Sequence, residues 1–224
     1  MQKSLIVITM MEISDIMLIN GPAGQLELAI DKIATTSIEK WAVICHPHPL
    51  FGGTMTNKVV TTTAKALQQR AYHTVRFNFR GIGKSTGTFD EGRGELDDLL
   101  AVLAYLKDTY QIHEVCLAGF SFGSYIALQG SLHWPCTQLI TIAPPIMRFD
   151  YSKAQQVSCP WLLIQGEDDD VVDPNAVITW ADALAKTQKN LCFIRMPNAG
   201  HFFHGKLIEL RELITNNLAT GRTP

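Results

Sequence analysis

From residue 41 onward, short apolar segments rich in β-branched residues alternate with longer amphipathic segments. WAVICHP is followed by NKVVTTTAKALQQRA, HTVRFNFRG by GELDDLLAVLAYLKDTY, and the alternation continues to GKLIELRELITNNLAT. Such a pattern is typical of parallel strands joined by crossover helices. Because the strand segments lack a clean polar–apolar alternation, we expect them to be buried on both faces. The sequence therefore predicts an α/β fold, with a mostly parallel twisted sheet and helices on both faces.

An antiparallel hairpin is predicted ahead of this region. The segment DIMLINGPAGQLELAID contains two alternating runs around the turn residues NGPAG at 20–24, which favours a hairpin at the sheet edge. We find no repeat, linker or low-complexity segment, so residues 1–224 are expected to form a single domain. Met10 and Met11 directly precede the hairpin, which also allows residues 1–10 to be an extension outside the fold.

Composition and charge exclude several classes of partner. The chain has 19 basic and 21 acidic residues, a formal charge of −2 and no basic run, so we expect no nucleic-acid partner. The apolar run at residues 5–9 is too short to span a membrane and lacks a signal-peptidase pattern, so neither membrane insertion nor export is expected. Five scattered cysteines without C-x-x-C spacing favour reduced thiols in a cytoplasmic protein. The oligomeric state is not indicated.

The segment EVCLAGFSFGSYIALQG, residues 114–130, places Ser121 between Gly119 and Gly123, where an apolar run meets a helix-like run. These glycines allow a sharp turn, because a side chain at either position would collide with neighbouring backbone. The turn places the serine at a helix N-terminus, where free N–H groups favour negative charge on a nearby oxygen. Ser121 is therefore a candidate nucleophile. The alternative is a serine that only caps the helix.

A nucleophilic serine needs a base, and the base needs an acid that orients it. Both candidates follow in the chain: the acidic run EDDD at 167–170 comes after PWLLIQG, and His201 comes after LCFIRM. Other histidines fit less well, because they precede strands, lie near a helix end or follow too late: His73, His113, His133 and His204.

Three motifs in this order, GFSFG, GEDDDVV and NAGHFF, resemble the α/β-hydrolase superfamily, and the resemblance covers nearly the whole chain after the hairpin. The longer segment RFNFRGIGKSTGTFDEGRGELDD resembles small bacterial predicted hydrolases related to dienelactone hydrolase. This resemblance implies an α/β-hydrolase fold in which Ser121 is the nucleophile and His201 the general base.

The resemblance also selects one carboxylate from the acidic run. In relatives the acid stands in a G-x-x-D-x-x-V pattern, which places it on Asp169 between Gly166 and Val172. Asp168 and Asp170 are expected to be solvated or to cap local backbone. The sequence therefore predicts Ser121, Asp169 and His201 as a catalytic triad.

The segment CHPHPLFGGTMTNKVV closes the strand before the first large helix and resembles the H-G-x-P motif of relatives. The resemblance implies an oxyanion hole formed by the backbone N–H groups of His48 and Phe122. Pro47 replaces the usual glycine, so Leu50 is a second candidate donor. The alternative makes His46 and His48 metal ligands, but such a pair without a nearby third ligand is weak evidence for metal. No metal or organic cofactor is expected.

The segment FRGIGKSTG, residues 79–87, ends like a phosphate-binding P-loop. A P-loop requires glycine where Asn78 stands and a helix that begins at the lysine, whereas a glycine-rich segment follows here. In α/β hydrolases an R-G-x-G-x-S loop commonly follows this strand. Arg80 and Ser85 are therefore expected to be structural.

The segment between TQLITIAPP and PWLLIQG, where lipases and epoxide hydrolases of this superfamily commonly insert a helical cap, holds only 14 residues, 146–159. We therefore expect no cap domain and a site open to solvent. The predicted substrate-binding side chains are Leu50, Phe51, Phe120, Phe122, Ile146, Met147 and Phe202. Each buried methylene gains about 0.8 kcal/mol, and an open cleft loses this gain beyond the first carbons, so acyl groups of roughly two to six carbons are expected.

Together these features predict a serine hydrolase that cleaves a small carboxylic ester or thioester through an acyl-enzyme. The expected partner is a small-molecule acyl substrate. Two alternatives remain open: an acyltransferase that uses the same triad, and a non-catalytic binding module on the hydrolase fold. The sequence does not distinguish ester, thioester and lactone.

Overall fold

The computed structural model describes residues 15–34 and 39–218, which form an eight-stranded sheet with five α-helices. The strands are β1 (Asp15–Gly21), β2 (Gly24–Asp31), β3 (Lys40–Cys45), β4 (Tyr72–Phe77), β5 (Val115–Phe120), β6 (Cys136–Ile142), β7 (Trp161–Gly166) and β8 (Leu191–Met196). The helices are α1 (Lys58–Gln68), α2 (Arg93–Tyr110), α3 (Phe122–Ser131), α4 (Pro174–Ala185) and α5 (Leu207–Asn217). The predicted extension at residues 1–10 lies outside the described residues.

The strand order is β1-β2-β4-β3-β5-β6-β7-β8. Strands β1 and β2 form the predicted antiparallel hairpin, and β2 pairs antiparallel with β4. The six strands β3 to β8 all run parallel to one another. The mostly parallel sheet and the hairpin at its edge are confirmed.

The order of the central strands determines where a ligand can bind. The chain leaves β3 through α1 to form β4 on one side, and then returns to place β5 on the other side of β3. In open α/β sheets a crevice forms at such a reversal, outside the carboxyl ends of the strands. The loops after β3 and β5 therefore meet at this crevice, and those after β6, β7 and β8 extend along the same edge.

Helices cover both faces of the sheet and bury two apolar clusters. On one face, side chains of α2, α3 and α4 pack on the sheet, and on the other face α1 and α5 do so. The interior strands have nearly every side chain buried. This explains why their sequences show an unbroken apolar run rather than alternation.

The loop after β4 is held by buried polar contacts. The guanidinium of Arg80 forms an ion pair with Asp98 of α2 at 2.8 Å. The hydroxyl of Ser85 donates to the Asn78 carbonyl at 2.6 Å and accepts from the Glu27 amide at 2.9 Å. These contacts fix the loop against β2 and α2, as expected of structural residues.

No cap is inserted between β6 and β7, where the chain forms only a short 3₁₀ segment, Ser152–Gln156. The carboxyl ends of the central strands are therefore not covered by an additional helical layer. Within residues 15–34 and 39–218, no helix is long and apolar enough to cross a membrane.

Candidate active site

Ser121 lies on a strained turn between β5 and α3. Its backbone has φ 52° and ψ −121°, a region that non-glycine residues rarely occupy and that occurs mainly at functional sites. Its N–H donates to the Ile142 carbonyl at 2.8 Å, and its own carbonyl accepts from the Ser124 amide at 2.8 Å and hydroxyl at 2.6 Å. Since the backbone is held on both sides, the side chain stays at the carboxyl edge of the sheet.

The glycines on either side of this turn are required by close backbone approach. A Cβ at Gly119 would collide with the Gly123 carbonyl, and a Cβ at Gly123 would collide with the carbonyls of Cys45 and His46. The amino end of α3 therefore packs directly against the end of β3. This approach brings the loop after β3 next to Ser121.

A chain of hydrogen bonds connects Ser121 to a carboxylate two strands away. The Oγ of Ser121 lies 3.1 Å from Nε2 of His201, and Nδ1 of His201 lies 2.8 Å from Oδ2 of Asp169. His201 follows β8 and Asp169 follows β7, and both are buried. The structure thus brings together the three side chains that the sequence motifs single out.

Asp169 is the carboxylate of the acidic run that reaches the imidazole. Its Oδ1 also accepts the amides of Val171 at 2.9 Å and Val172 at 2.8 Å. Burial alone would raise the pKa of Asp169, but hydrogen bonds from His201 and these amides outweigh burial, so its pKa lies below the ordinary value. Asp169 is therefore ionised at neutral pH and can accept from Nδ1–H of the imidazole. The neighbouring Asp168 is exposed.

Gln165, near the end of β7, is a polar contact of this carboxylate that the sequence motifs do not reveal. Its amide Nε2 donates to Oδ2 of Asp169 at 3.1 Å and to the Gly166 carbonyl at 3.0 Å, and its side chain is fully buried. Two further donors, Nδ1 of His201 and the amide of Val172, reach the same carboxylate. Hydrogen bonds from several donors therefore fix the orientation of the Asp169 carboxylate.

The loop after β3 is fixed by the imidazole of His46, which is buried. Nδ1 of His46 lies 2.6 Å from the Pro47 carbonyl, and Nε2 accepts the Phe79 amide at 3.0 Å. Because a carbonyl only accepts and an amide only donates, the ring must be neutral with its proton on Nδ1. Burial, opposed by the hydrogen bond to Pro47 and assisted by His48, lowers its pKa to about 4. With both ring nitrogens engaged by backbone, His46 is not available as a metal ligand.

The two predicted oxyanion donors come from two neighbouring segments: His48 lies in the loop after β3, and Phe122 lies at the start of α3. Phe122 is the first residue of α3, and an N–H at that position has no acceptor within the helix. Within residues 15–34 and 39–218, no acceptor takes a hydrogen bond from the backbone N–H of Phe122 or His48. The N–H of Leu50, in contrast, donates to Nδ1 of His48 at 3.3 Å. Leu50, the second candidate, is therefore already engaged.

A cavity of about 400 Å³ opens directly onto Ser121 and His201. The predicted side chains Phe51, Phe122 and Phe202 contribute to its lining, together with His48. The remaining lining comes from the loops after β3, β6 and β7 and from the start of α1: Pro47, Gly52, Gly53, Asn57, Pro145, Arg148, Phe149, Val171 and Val172.

Four of the predicted substrate-binding side chains are not among the residues that line this cavity. Phe120 belongs to the core on the α1 and α5 face and packs behind the His201 ring, at 5.0 Å between centroids. Ile146 packs against the opposite core cluster, and Leu50 and Met147 are exposed and do not contribute to the lining. Sequence proximity to the motif did not determine which side of each loop faces the cavity.

The loop after β6 contributes side chains that the sequence motifs missed. Arg148 and Phe149 stand one and two positions after the predicted Met147. The paired prolines Pro144 and Pro145 were the available signal, because two consecutive prolines set the direction in which the loop leaves the strand.

Among the residues that the structure describes, no group of three or more His, Cys, Asp or Glu side chains could hold a metal ion.

Comparison with known proteins identifies the superfamily. The family model of the alpha/beta hydrolase fold matches residues 44–135, and that of the prolyl oligopeptidase family matches residues 146–214. An uncharacterized protein of Rickettsia prowazekii is 35% identical over 208 residues, which is 90% of this chain and 87% of that protein. The chain belongs to the α/β-hydrolase superfamily. The predicted resemblance to the α/β-hydrolase superfamily is therefore confirmed.

Solved structures support the same assignment for this α/β hydrolase. An alpha-beta serine hydrolase homologue from Coxiella burnetii is 46% identical, with 93% of this chain and 99% of that chain covered and a TM-score of 0.85. A serine hydrolase from Xanthomonas campestris, described as having no lid, is 42% identical, with 91% and 93% covered and a TM-score of 0.83. These relatives support a hydrolase, and the second also lacks the cap that is absent here.

Proposed function

We propose that this α/β hydrolase cleaves a small carboxylic ester or thioester through an acyl-enzyme. The observation that carries the proposal is the hydrogen-bonded chain from Asp169 through His201 to Ser121, which ends at the cavity. A serine with this partner is activated by a base, and the base is oriented by a third group. Acyl transfer to serine is the reaction class that these three side chains support best.

In the first step, Oγ of Ser121 attacks the carbonyl carbon while Nε2 of His201 takes the hydroxyl proton. Asp169 accepts from Nδ1–H and stabilises the imidazolium that forms. The tetrahedral intermediate then collapses, the bond to the alcohol or thiol breaks, and the imidazolium returns its proton to the leaving group. The acyl group remains on Ser121.

The negative oxygen of the tetrahedral intermediate needs donors placed in advance. We assign this role to the backbone N–H groups of Phe122 and His48, which face no acceptor among the described residues. The amino end of α3 adds a favourable dipole at the same point. Loss of one such donor typically costs about 3 kcal/mol in the transition state.

In the second half-reaction, water takes the place of the leaving group. Nε2 of His201 removes a proton from the water, the hydroxide attacks the acyl carbon, and Ser121 recovers its proton as the acid departs. These steps use no metal or organic cofactor. We also propose a single-domain enzyme that works in the cytoplasm, since none of its described cysteines is paired.

A fluorophosphonate probe tests the mechanism, because it forms a covalent adduct only with an activated serine. We expect one adduct per chain, mapped by mass spectrometry to Ser121, and no adduct in Ser121→Ala. Ser152→Ala is a matched control at an exposed serine and should label normally. Absence of an adduct on folded wild-type protein would favour a binding module, and an adduct at another serine would refute the assignment.

Product analysis separates hydrolysis from acyl transfer. With an aryl ester as donor and a primary alcohol or amine present, we expect the free acid as the main product. Preferential formation of the new ester or amide would instead identify an acyltransferase that uses the same serine.

A further inference from the structure

The cavity beside Ser121 has a positively charged lining. Among the described residues that form it, Arg148 is the one side chain with a permanent charge, and none is a carboxylate. Asp169, the acid of the hydrogen-bonded chain, does not reach the cavity, because it lies buried behind His201. A substrate in this cavity therefore meets a guanidinium without meeting a compensating negative side chain.

The backbone around Arg148 is held in place. Its N–H donates to the Pro145 carbonyl at 2.9 Å. The next side chain, Phe149, stacks on Tyr125 with 4.9 Å between ring centroids and contacts Phe122 at 5.2 Å. The loop after β6 is thereby anchored to α3, the helix that begins directly after Ser121. The packing of this loop against α3 therefore fixes the distance between the Arg148 backbone and Ser121.

The charge of Arg148 also affects another residue of the cavity lining, His48. Burial lowers the pKa of His48, and the positive charge of Arg148 lowers it further. Asn57 lines the same cavity and caps α1 with its side chain, so the positive end of that helix dipole adds to the field of the guanidinium. The guanidinium of Arg148 and the dipole of α1 thus both give the cavity a positive potential near the nucleophile.

The guanidinium has no ion-pair partner in residues 15–34 and 39–218. Four of the six other described arginines form ion pairs, Arg76 with Asp31, Arg80 with Asp98, Arg93 with Asp90 and Arg195 with Glu167, and the other two, Arg70 and Arg211, lie outside the cavity. The nearest acid in sequence, Asp150, accepts the Ser152 amide at 2.8 Å instead. Arg148 thus lines the cavity as an exposed side chain, and no acid among the described residues forms an ion pair with it.

We propose that the substrate of this hydrolase carries a carboxylate or similar anionic group, and that Arg148 binds this group while Ser121 attacks the ester carbonyl. A planar guanidinium donates two parallel hydrogen bonds to a carboxylate, which gives orientation as well as affinity. This inference rests on the proposed function, and it makes Arg148 a specificity-determining residue. It narrows the substrate class from small esters to small anionic esters.

Two pairs of esters test this proposal. Within each pair, one ester carries a carboxylate and the other carries a neutral amide at the same position. In the first pair, 3-acetoxybenzoate and 3-acetoxybenzamide, the anion lies on the alcohol portion. In the second pair, monophenyl adipate and its terminal amide, the anion lies on the acyl portion. The measured quantity is the ratio of kcat/KM for the anion to that for its neutral partner. Taken within each variant, this ratio cancels differences in the amount of folded enzyme.

In at least one pair, the wild-type ratio should be roughly tenfold, the usual scale for a charge-assisted hydrogen bond that stays partly solvated. Arg148→Gln should bring the ratio close to one, Arg148→Glu should reverse it, and Arg148→Lys should retain part of it. Arg211→Gln, the same loss of charge on α5 away from the cavity, should keep the wild-type ratio. The preference should also weaken as ionic strength rises.

Two results would overturn the inference and are distinguishable from failure of the proposed function. A wild-type ratio near one in both pairs, or a ratio that Arg148→Gln leaves unchanged, would refute the role of Arg148 while ester hydrolysis itself stands. If no ester is hydrolysed and Ser121 forms no fluorophosphonate adduct, the proposed function fails and this inference fails with it.

Discussion

Protonation of His46 should destabilise the fold at mildly acidic pH. The ring is fully buried at the end of β3, with Nδ1–H donating to the Pro47 carbonyl at 2.6 Å and Nε2 accepting from the Phe79 amide at 3.0 Å. A second proton on Nε2 would remove the acceptor of that amide and leave a charge without a counter-ion in the core. The folded protein therefore resists protonation of this ring.

The size of the effect follows from the shift in pKa. Burial lowers the pKa of His46 from 6.5 to about 4, so between these values the unfolded chain binds the proton and the folded chain does not. Above pH 6.5 the ring is neutral in both the folded and the unfolded chain, and the protein has its full stability with respect to this group. As pH falls from 6.5 toward 4, only the unfolded chain gains the proton, so the free energy of unfolding decreases. Between pH 7 and pH 4.5 the free energy of unfolding should drop by about 2 kcal/mol from this group alone.

Urea denaturation at several pH values between 7 and 4.5 measures this loss. His46→Gln cannot titrate, although its amide oxygen can still accept from Phe79, so its free energy of unfolding should be lower at pH 7 but flatter with pH. His113→Gln, a matched change at an exposed histidine before β5, should keep the wild-type slope. If His46→Gln shows the wild-type slope, acid destabilisation arises elsewhere and the reasoning is refuted.

Two further predictions concern the reaction. Asp169→Asn should lower kcat by roughly 10³- to 10⁴-fold in ester hydrolysis with the fold intact by circular dichroism, because the imidazole loses the acceptor that fixes its tautomer. Asp168→Asn, at an exposed position, should stay near wild type, and equal losses in both variants would reject the assignment. In a p-nitrophenyl ester series, kcat/KM should peak at roughly two to six acyl carbons, since a cavity of about 400 Å³ without a cap buries few methylenes. A maximum at ten or more carbons would contradict this.

The fold could be predicted in unusual detail because its signals are local. A buried parallel strand must be apolar on both sides, and its crossover helix must be amphipathic, so the alternation from residue 41 onward determines the sheet type. Turn chemistry is equally local: NGPAG at 20–24 predicts the hairpin of β1 and β2, which the structure contains. The short segment 146–159 likewise leaves no room for a cap.

The candidates for Ser121, Asp169 and His201 could be selected from sequence for a related reason. Parallel strands end at the same edge of the sheet, so residues that directly follow β5, β7 and β8 must lie on one side of the molecule. Chain order and motif spacing then choose among neighbours. The hydrogen bonds of 2.8 Å and 3.1 Å that link them add the geometry that order alone does not contain.

The sequence by itself thus determined the α/β architecture and the strand ends at which the candidate site residues lie, since both depend on local pattern and strand direction. The choice of Asp169 within the acidic run depended on the resemblance to α/β hydrolases. Only the tertiary structure decided which loop side chains face the cavity. Leu50 does not line it, whereas Arg148 and Phe149 do, because the side-chain direction in a loop depends on what packs against it. Buried polar partners were decided in the same way: Gln165 reaches Asp169 only through the packing of β7 beside its neighbours.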